Sequence, residues 1–130
     1  MRWRFCLGGF IVAREVGRRM LPLRRGTIIF VGSTSGMVGR PNHLNLAVGK
    51  FGLRALSQVM ARELSPNRIH VVHLVIDGEI QEEPTAESSD PELCPEDICD
   101  LIYSLHRQPM STWTSEFDVR PWNEKFWEHC

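Results

Sequence analysis

Apolar residues recur at three- and four-residue steps from about Gly8 to Leu21, at Phe10, Ala13, Val16 and Met20. That spacing predicts a helix with one apolar face. Pro22 and the Arg24-Arg25-Gly26 run end it. Thr27 to Val31, "TIIFV", is β-branched and aromatic without alternation. Such a run suits a strand buried on both faces of a parallel sheet. Gly32 to Pro41 reads as a loop. Asn45 to Leu64 carries two apolar stripes: Leu46, Leu53, Leu56, Met60 and Leu64, and beside them Val48, Phe51, Ala55 and Val59. A helix lying on a sheet needs one stripe. The second needs another partner, either the first helix or a second subunit. Ile69 to Ile76 is a further near-continuous apolar strand, so Thr27 to Ile76 reads as a βαβ unit with a right-handed crossover. Residues 77–94 are acidic and poor in large apolar side chains, and read as a mobile loop. Pro95 opens a helix with Ile98, Leu101, Ile102 and Leu105 on one face. Ser115, Phe117 and Val119 alternate with Glu116, Asp118 and Arg120, which predicts a last, half-exposed strand. The fold class is α/β: a partial Rossmann-like, doubly wound sheet of about three mostly parallel strands with helices on both faces.

Charge changes this picture little. The chain of 130 residues has a formal net charge of -1. Met1 to Ile76 holds 12 Lys and Arg against two acids, whereas Asp77 to Cys130 holds 3 against 14. Basic residues scattered over several elements without interleaved aromatics argue against nucleic-acid binding. They suggest instead two halves that pack and neutralise each other. The Arg-rich start resembles a transit peptide, but reads better as the first helix. Its apolar run is too short to span a bilayer, so no membrane partner is expected. Cys6, Cys94, Cys99 and Cys130 form no CxxC pair, and reduced thiols in a cytoplasmic protein are the expectation. His70 and His73 are three apart on a strand, face opposite sides and cannot share a metal.

Gly32, Gly36 and Gly39 follow a strand, as the glycines of a dinucleotide fingerprint do. Their spacing is wrong, however, and the helix starts several residues later beyond a proline. The wider stretch is more telling. "GTIIFVGSTSGMVGRPNHLNLAVGKFGLRALSQVMARELSPNRIHVVHLV" resembles the strand, serine loop, active-site helix and following strand of the short-chain dehydrogenase/reductase family. "FIVAREVGRRML" resembles the helix before them, and "EFDVRPW" the family's final strand. The resemblance implies hydride transfer between NAD or NADP and a carbonyl or alcohol carbon. A tyrosine then moves the proton, with a lysine one turn on that lowers its pKa and holds the nicotinamide ribose. It implies a serine that orients the substrate oxygen.

On this chain the lysine is Lys50, and the serine is Ser33, thirteen residues before the tyrosine position. The tyrosine position is Leu46, which has no proton to exchange. The family's asparagine falls near Phe5. Its Pro-Gly after the next strand is Asp77-Gly78, with Ile80 at the hydrophobic position beyond. Gly78 and Ile80, with Lys50, are thus the candidate cofactor contacts. The family's TGxxxGxG loop and NAG-like turn are absent from residues 1–130. The chain therefore reads as one truncated NAD(P)-binding domain lacking its dinucleotide-binding half. Catalysis is not expected of it. Association is expected, with a second copy or a full-length relative, through the helices near 8–21 and 45–64. The alternatives are residual NAD(P)-dependent oxidoreductase activity through Ser33 and Lys50 and, less consistent with the residues, nucleic-acid binding by the basic half. The first strand lacks a flanking neighbour and is expected to be an exposed apolar edge.

Overall fold

A computed structural model describes residues 4–82 and 92–125. Its elements run α1 (Arg4–Met20), β1 (Gly26–Ser33), α2 (Leu44–Leu64), β2 (Ile69–Ile76), β3 (Glu79–Ile80), β4 (Glu92–Leu93), α3 (Pro95–His106) and β5 (Glu116–Val119). The main sheet is parallel throughout, in the order β1-β2-β5. β1 and β2 are joined through α2 and run in register from Gly26 beside Ile69 to Ser33 beside Ile76. This is the βαβ unit that the apolar runs predict.

All eight residues of β2 are buried. On one face, Ile69, Val71 and Phe30 pack under Ala13 of α1 and Leu53, Met60 and Leu64 of α2. On the other, Leu74 and Ile76 pack with Ile98, Leu101 and Ile102 of α3 and Phe117 and Val119 of β5. Helices thus cover both faces of the sheet.

The structure refines the sequence reading of α1. The helix begins at Arg4 rather than near Gly8. Its buried stripe is made of small residues: Gly9, Ala13 and Gly17 lie at successive i, i+4 positions. A Cβ on Gly9 would lie 2.4 Å from a Leu53 methyl carbon, so the glycine lets Leu53 reach the α1 backbone. Phe10, expected on the core face, is 44% exposed. Periodicity selects the large residues, whereas the close helix contact selects the small ones. α1 covers the Leu53-Met60-Leu64 stripe of α2, and the second stripe stays uncovered, with Val48 and Val59 each more than half exposed.

β1 is the exposed edge expected of it and not a strand buried on both faces, because only Phe30 and Gly32 of its eight residues are buried. The reason is its place at the sheet edge: among the described residues no strand pairs with its outer side. Of the acidic segment, Glu79-Ile80 and Glu92-Leu93 form a short parallel ladder. Residues 83–91 lie outside the described residues.

Among the described residues, pairing between the two charge halves is sparse. Among the described residues, Arg54–Glu116 is the one Arg/Lys–carboxylate bridge between them. The edge strand carries no charge that would keep a second chain away. Val31→Lys places one at a residue 48% exposed. It should reduce concentration-dependent light scattering while changing stability by no more than about 0.5 kcal/mol. Unchanged scattering at unchanged stability would show that the β1 edge is not the adhesive element.

Candidate functional site

Ser33 closes β1 beside Ile76, which closes β2. Both turns that follow therefore sit at the carboxyl edge of the parallel sheet, where open α/β folds bind ligands. After β1 the chain makes one 3₁₀ turn over Thr34–Gly36, buried against α2. A Cβ on Gly36 would lie 3.0 Å from the Lys50 carbonyl oxygen, so this close approach of loop to helix favours glycine. A Cβ on Gly32 would lie 2.2 Å from His73 Nε2. Two of the three loop glycines thus make room for protein atoms, not for phosphate, and Gly39 faces open space.

Lys50 sits on the first half of α2. Its ammonium donates to the Val31 carbonyl at 3.3 Å and lies 5.6 Å from the centre of the Phe5 ring. Phe5 lies near the position where the resemblance expects the asparagine. Partial burial pushes the Lys50 amine below its ordinary value. Leu46 lies one turn earlier, on the same face of the helix. Tyr103, the chain's one tyrosine, is on α3, 64% exposed and on the far side of the sheet. Ser33 Oγ is buried and has no partner among the described residues, and the same is true of Nε and Nη2 of Arg40 in the loop.

Beyond β2, Asp77 is buried. It accepts from Arg120 Nε at 3.2 Å, while its own N–H donates to Val119 O. Gly78 follows with φ +144°, a backbone conformation open to glycine but strained for other residues. Ile80, in β3, is half exposed at the same edge of the sheet. The fold therefore collects Ser33, Lys50, Leu46, Gly78 and Ile80 around one end of the sheet. Lys50 supplies a cation and Ser33 a hydroxyl. A serine hydroxyl does not exchange its proton readily near neutral pH, and Leu46 has none to exchange.

One cluster escapes sequence reasoning. His73, fully buried on the α2 face, shares a 2.8 Å hydrogen bond through Nδ1 with Glu116 of β5. Arg54 of α2 grips the same carboxylate with two bonds, at 2.9 and 2.8 Å. Arg54 holds the Glu116 carboxyl below its ordinary range, and Glu116 raises Arg54. Burial pushes His73 down, with Arg54 and Lys50 adding to the shift and Glu116 opposing it. The partners lie 43 and 62 residues apart along the chain. The sole sequence signal is a histidine in an otherwise apolar strand, which must find a polar partner.

No group of three or more His, Cys, Asp or Glu among the described residues could hold a metal. No helix among them is long and apolar enough to cross a membrane.

With this geometry in place, comparison with known proteins is direct. The short chain dehydrogenase family model matches residues 6–90, so the chain belongs to the short-chain dehydrogenase family. It is 38% identical over 78 residues to the 3-oxoacyl-[acyl-carrier-protein] reductase MabA of Mycobacterium avium, covering 60% of this chain and 30% of that one. It is 36% identical over 81 residues to the 3-oxoacyl-[acyl-carrier-protein] reductase FabG of Escherichia coli, covering 62% and 33%. A short-chain dehydrogenase from Rhodopseudomonas palustris superposes with a TM-score of 0.78 at 37% identity, over 93% of this chain and 50% of that one. A metagenomic short-chain oxidoreductase in complex with NADP superposes with a TM-score of 0.69 at 25% identity, over 87% and 46%. The chain thus spans about a third of the length of the curated relatives and half that of the solved ones.

The buried histidine predicts an acid-labile fold. The folded-state pKa of His73 lies below its ordinary 6.5, so protonation favours unfolding. Stability is present above that value and is lost as pH falls through it toward the folded-state value. Glu116 adds a further loss in more acid solution, as pH falls below its ordinary 4.5. Urea midpoints should therefore drop from neutral pH to about pH 5, and His73→Gln should flatten that slope. An unchanged slope in the variant would remove His73 from the account. Glu116→Ala leaves two partners unpaired and should cost about 1–3 kcal/mol.

Proposed function

We propose that this chain is a non-catalytic member of the short-chain dehydrogenase family and works by association. Leu46 carries the reading. One turn before Lys50, on the face where the family's proton carrier belongs, stands a side chain with nothing to ionise. Ser33 and Lys50 are retained as orienting groups without a proton to orient, and near the asparagine's expected position the Phe5 ring faces the ammonium. A nicotinamide cofactor fits only in part. Lys50, Gly78 and Ile80 suit the ribose and ring end of NAD or NADP. Residues 1–130 hold no glycine turn opening directly into a helix for the pyrophosphate. Weak binding of either dinucleotide is expected.

The association surface is the groove between α1 and α2, about 320 Å³, with Phe10, Leu21, Leu56 and Val59 along it. Its occupant is a second copy. Arg14 and Arg18 border it on α1 and Glu63 on α2, so an antiparallel two-fold arrangement brings basic and acidic rims together. The exposed second stripe of α2 continues the same apolar face.

Sedimentation velocity should show a dimer that Val59→Glu converts to a folded monomer. A monomeric parent chain at all concentrations contradicts the association. Titration of NADH and NADPH, followed by nicotinamide fluorescence, should show no saturation in the micromolar range. Micromolar binding with reduction of a carbonyl compound would instead establish the second reading, residual oxidoreductase activity through Ser33 and Lys50.

A further inference from the structure

We infer that the opposite end of the sheet holds an anion site, suited to a small organic phosphate. β1 and β2 begin there, far from Ser33 and Gly78, beside a cavity of about 580 Å³. That volume lies in the usual range of small-molecule sites. Arg24, Arg25 and Arg68 line it, and no acidic residue does. None of the three arginines has a side-chain hydrogen bond or ion pair among the described residues, in contrast to Arg19, Arg54 and Arg120.

The electrostatics can be estimated. α1, α2 and α3 all end on this side, and each helix end contributes about half a negative charge. Three guanidinium groups exceed that sum and leave the cavity net positive by about one to two charges. Neutralising the helix ends therefore does not account for the arginines.

The wall of the cavity is also built. Gln108 donates through Nε2 to Thr114 Oγ1, accepts from the Thr114 N–H, and receives the Trp113 indole N–H on its carbonyl. Trp113 in turn stacks on His70, with ring centres 4.7 Å apart and 6° between planes. Both rings line the cavity. The Nε2 of His70 donates to the Thr114 carbonyl at 2.8 Å, so the neutral ring leaves Nδ1 as an acceptor. That Nδ1 is buried and has no partner among the described residues. His70 is 98% buried, being 2% exposed, so its ring is a fixed part of the wall, held by the Thr114 bond and the Trp113 stack. Opposite it, His106 shares a 2.9 Å hydrogen bond with Thr27, and both line the cavity. Arg24 and Arg68 both hold φ near +50 to +65°, at 48° and 64°, where a non-glycine residue is strained.

The fitting ligand is thus a phosphate on a compact planar or apolar body. The phosphate takes guanidinium forks in bidentate bonds. The body lies against Trp113, Met20 and Met110. The site shares no residue with Ser33, Lys50, Gly78 or Ile80, so it stands whether or not the proposed function does.

Phenyl phosphate is the probe, with inorganic phosphate and phenol as its separated parts. Calorimetric titration at fixed ionic strength should show phenyl phosphate binding more tightly than inorganic phosphate, and phenol not at all. Arg24→Gln and Arg68→Gln should each weaken binding by about tenfold, while Arg19→Gln, paired with Glu15 and outside the cavity, should leave it unchanged. The chemical shift of the Trp113 indole N–H in labelled protein should move on saturation. Equal loss in all three variants would mean a diffuse field rather than a site, and would overturn the assignment. Absence of binding at millimolar phenyl phosphate would overturn it as well.

Discussion

β2 is buried on both faces and paired on both edges, and it carries two histidines into that interior. A buried polar ring left without a partner costs about 1–3 kcal/mol. The far end of the chain meets this demand for one nitrogen of each ring, while His70 Nδ1 and His73 Nε2 have no partner among the described residues. His73 takes Glu116 of β5, and His70 takes the Thr114 carbonyl and the face of Trp113. β5 is therefore held to β2 by side chains as well as by its ladder. Arg54 then ties the same carboxylate to α2. Three elements distant in sequence converge on Glu116, a carboxylate that joins the basic and acidic halves of the chain.

The candidate site depends on that frame. α2 lies where Arg54 and the Leu53-Met60-Leu64 stripe fix it, so Lys50 and Leu46, on the same helix, are placed at the sheet's carboxyl edge. The His73 ring also explains the loop: Gly32 is glycine because the ring occupies the space of a side chain. A motif that looks like a phosphate cradle is, at two of its glycines, a packing motif. The edge strand is the weaker side of the frame. β1 has a neighbour on one side only, and the site's serine stands at its end.

Much of this was legible in the residues. The near-continuous apolar run of Ile69 to Ile76 gave a parallel strand with correct bounds, because a strand buried on both faces has little polar alternation. The double stripe of α2 announced an uncovered face, and the i, i+4 relation of Leu46 and Lys50 survives in the helix. Other features depend on distance in space. Nothing near His73 names Glu116 as its partner. Glu79-Ile80 pairs with Glu92-Leu93 across a segment whose composition reads only as acidic. The contact of α1 with α2 runs through Gly9, Ala13 and Gly17, which a search for large apolar residues passes over. The charge asymmetry predicted pairing between the halves, yet one guanidinium makes that pair while three others line a separate cavity.

Lys50 still stands one helical turn from the position of the family's proton carrier, now Leu46. Introducing Leu46→Tyr together with Tyr103→Phe leaves a single tyrosine, whose ionisation is read from its ultraviolet absorbance without cofactor or substrate. The Lys50 charge one turn away should hold that phenol below its ordinary pKa of about 10, and Lys50→Met in the same background should return it there. A phenol that titrates at its ordinary value, unmoved by Lys50→Met, would contradict the account.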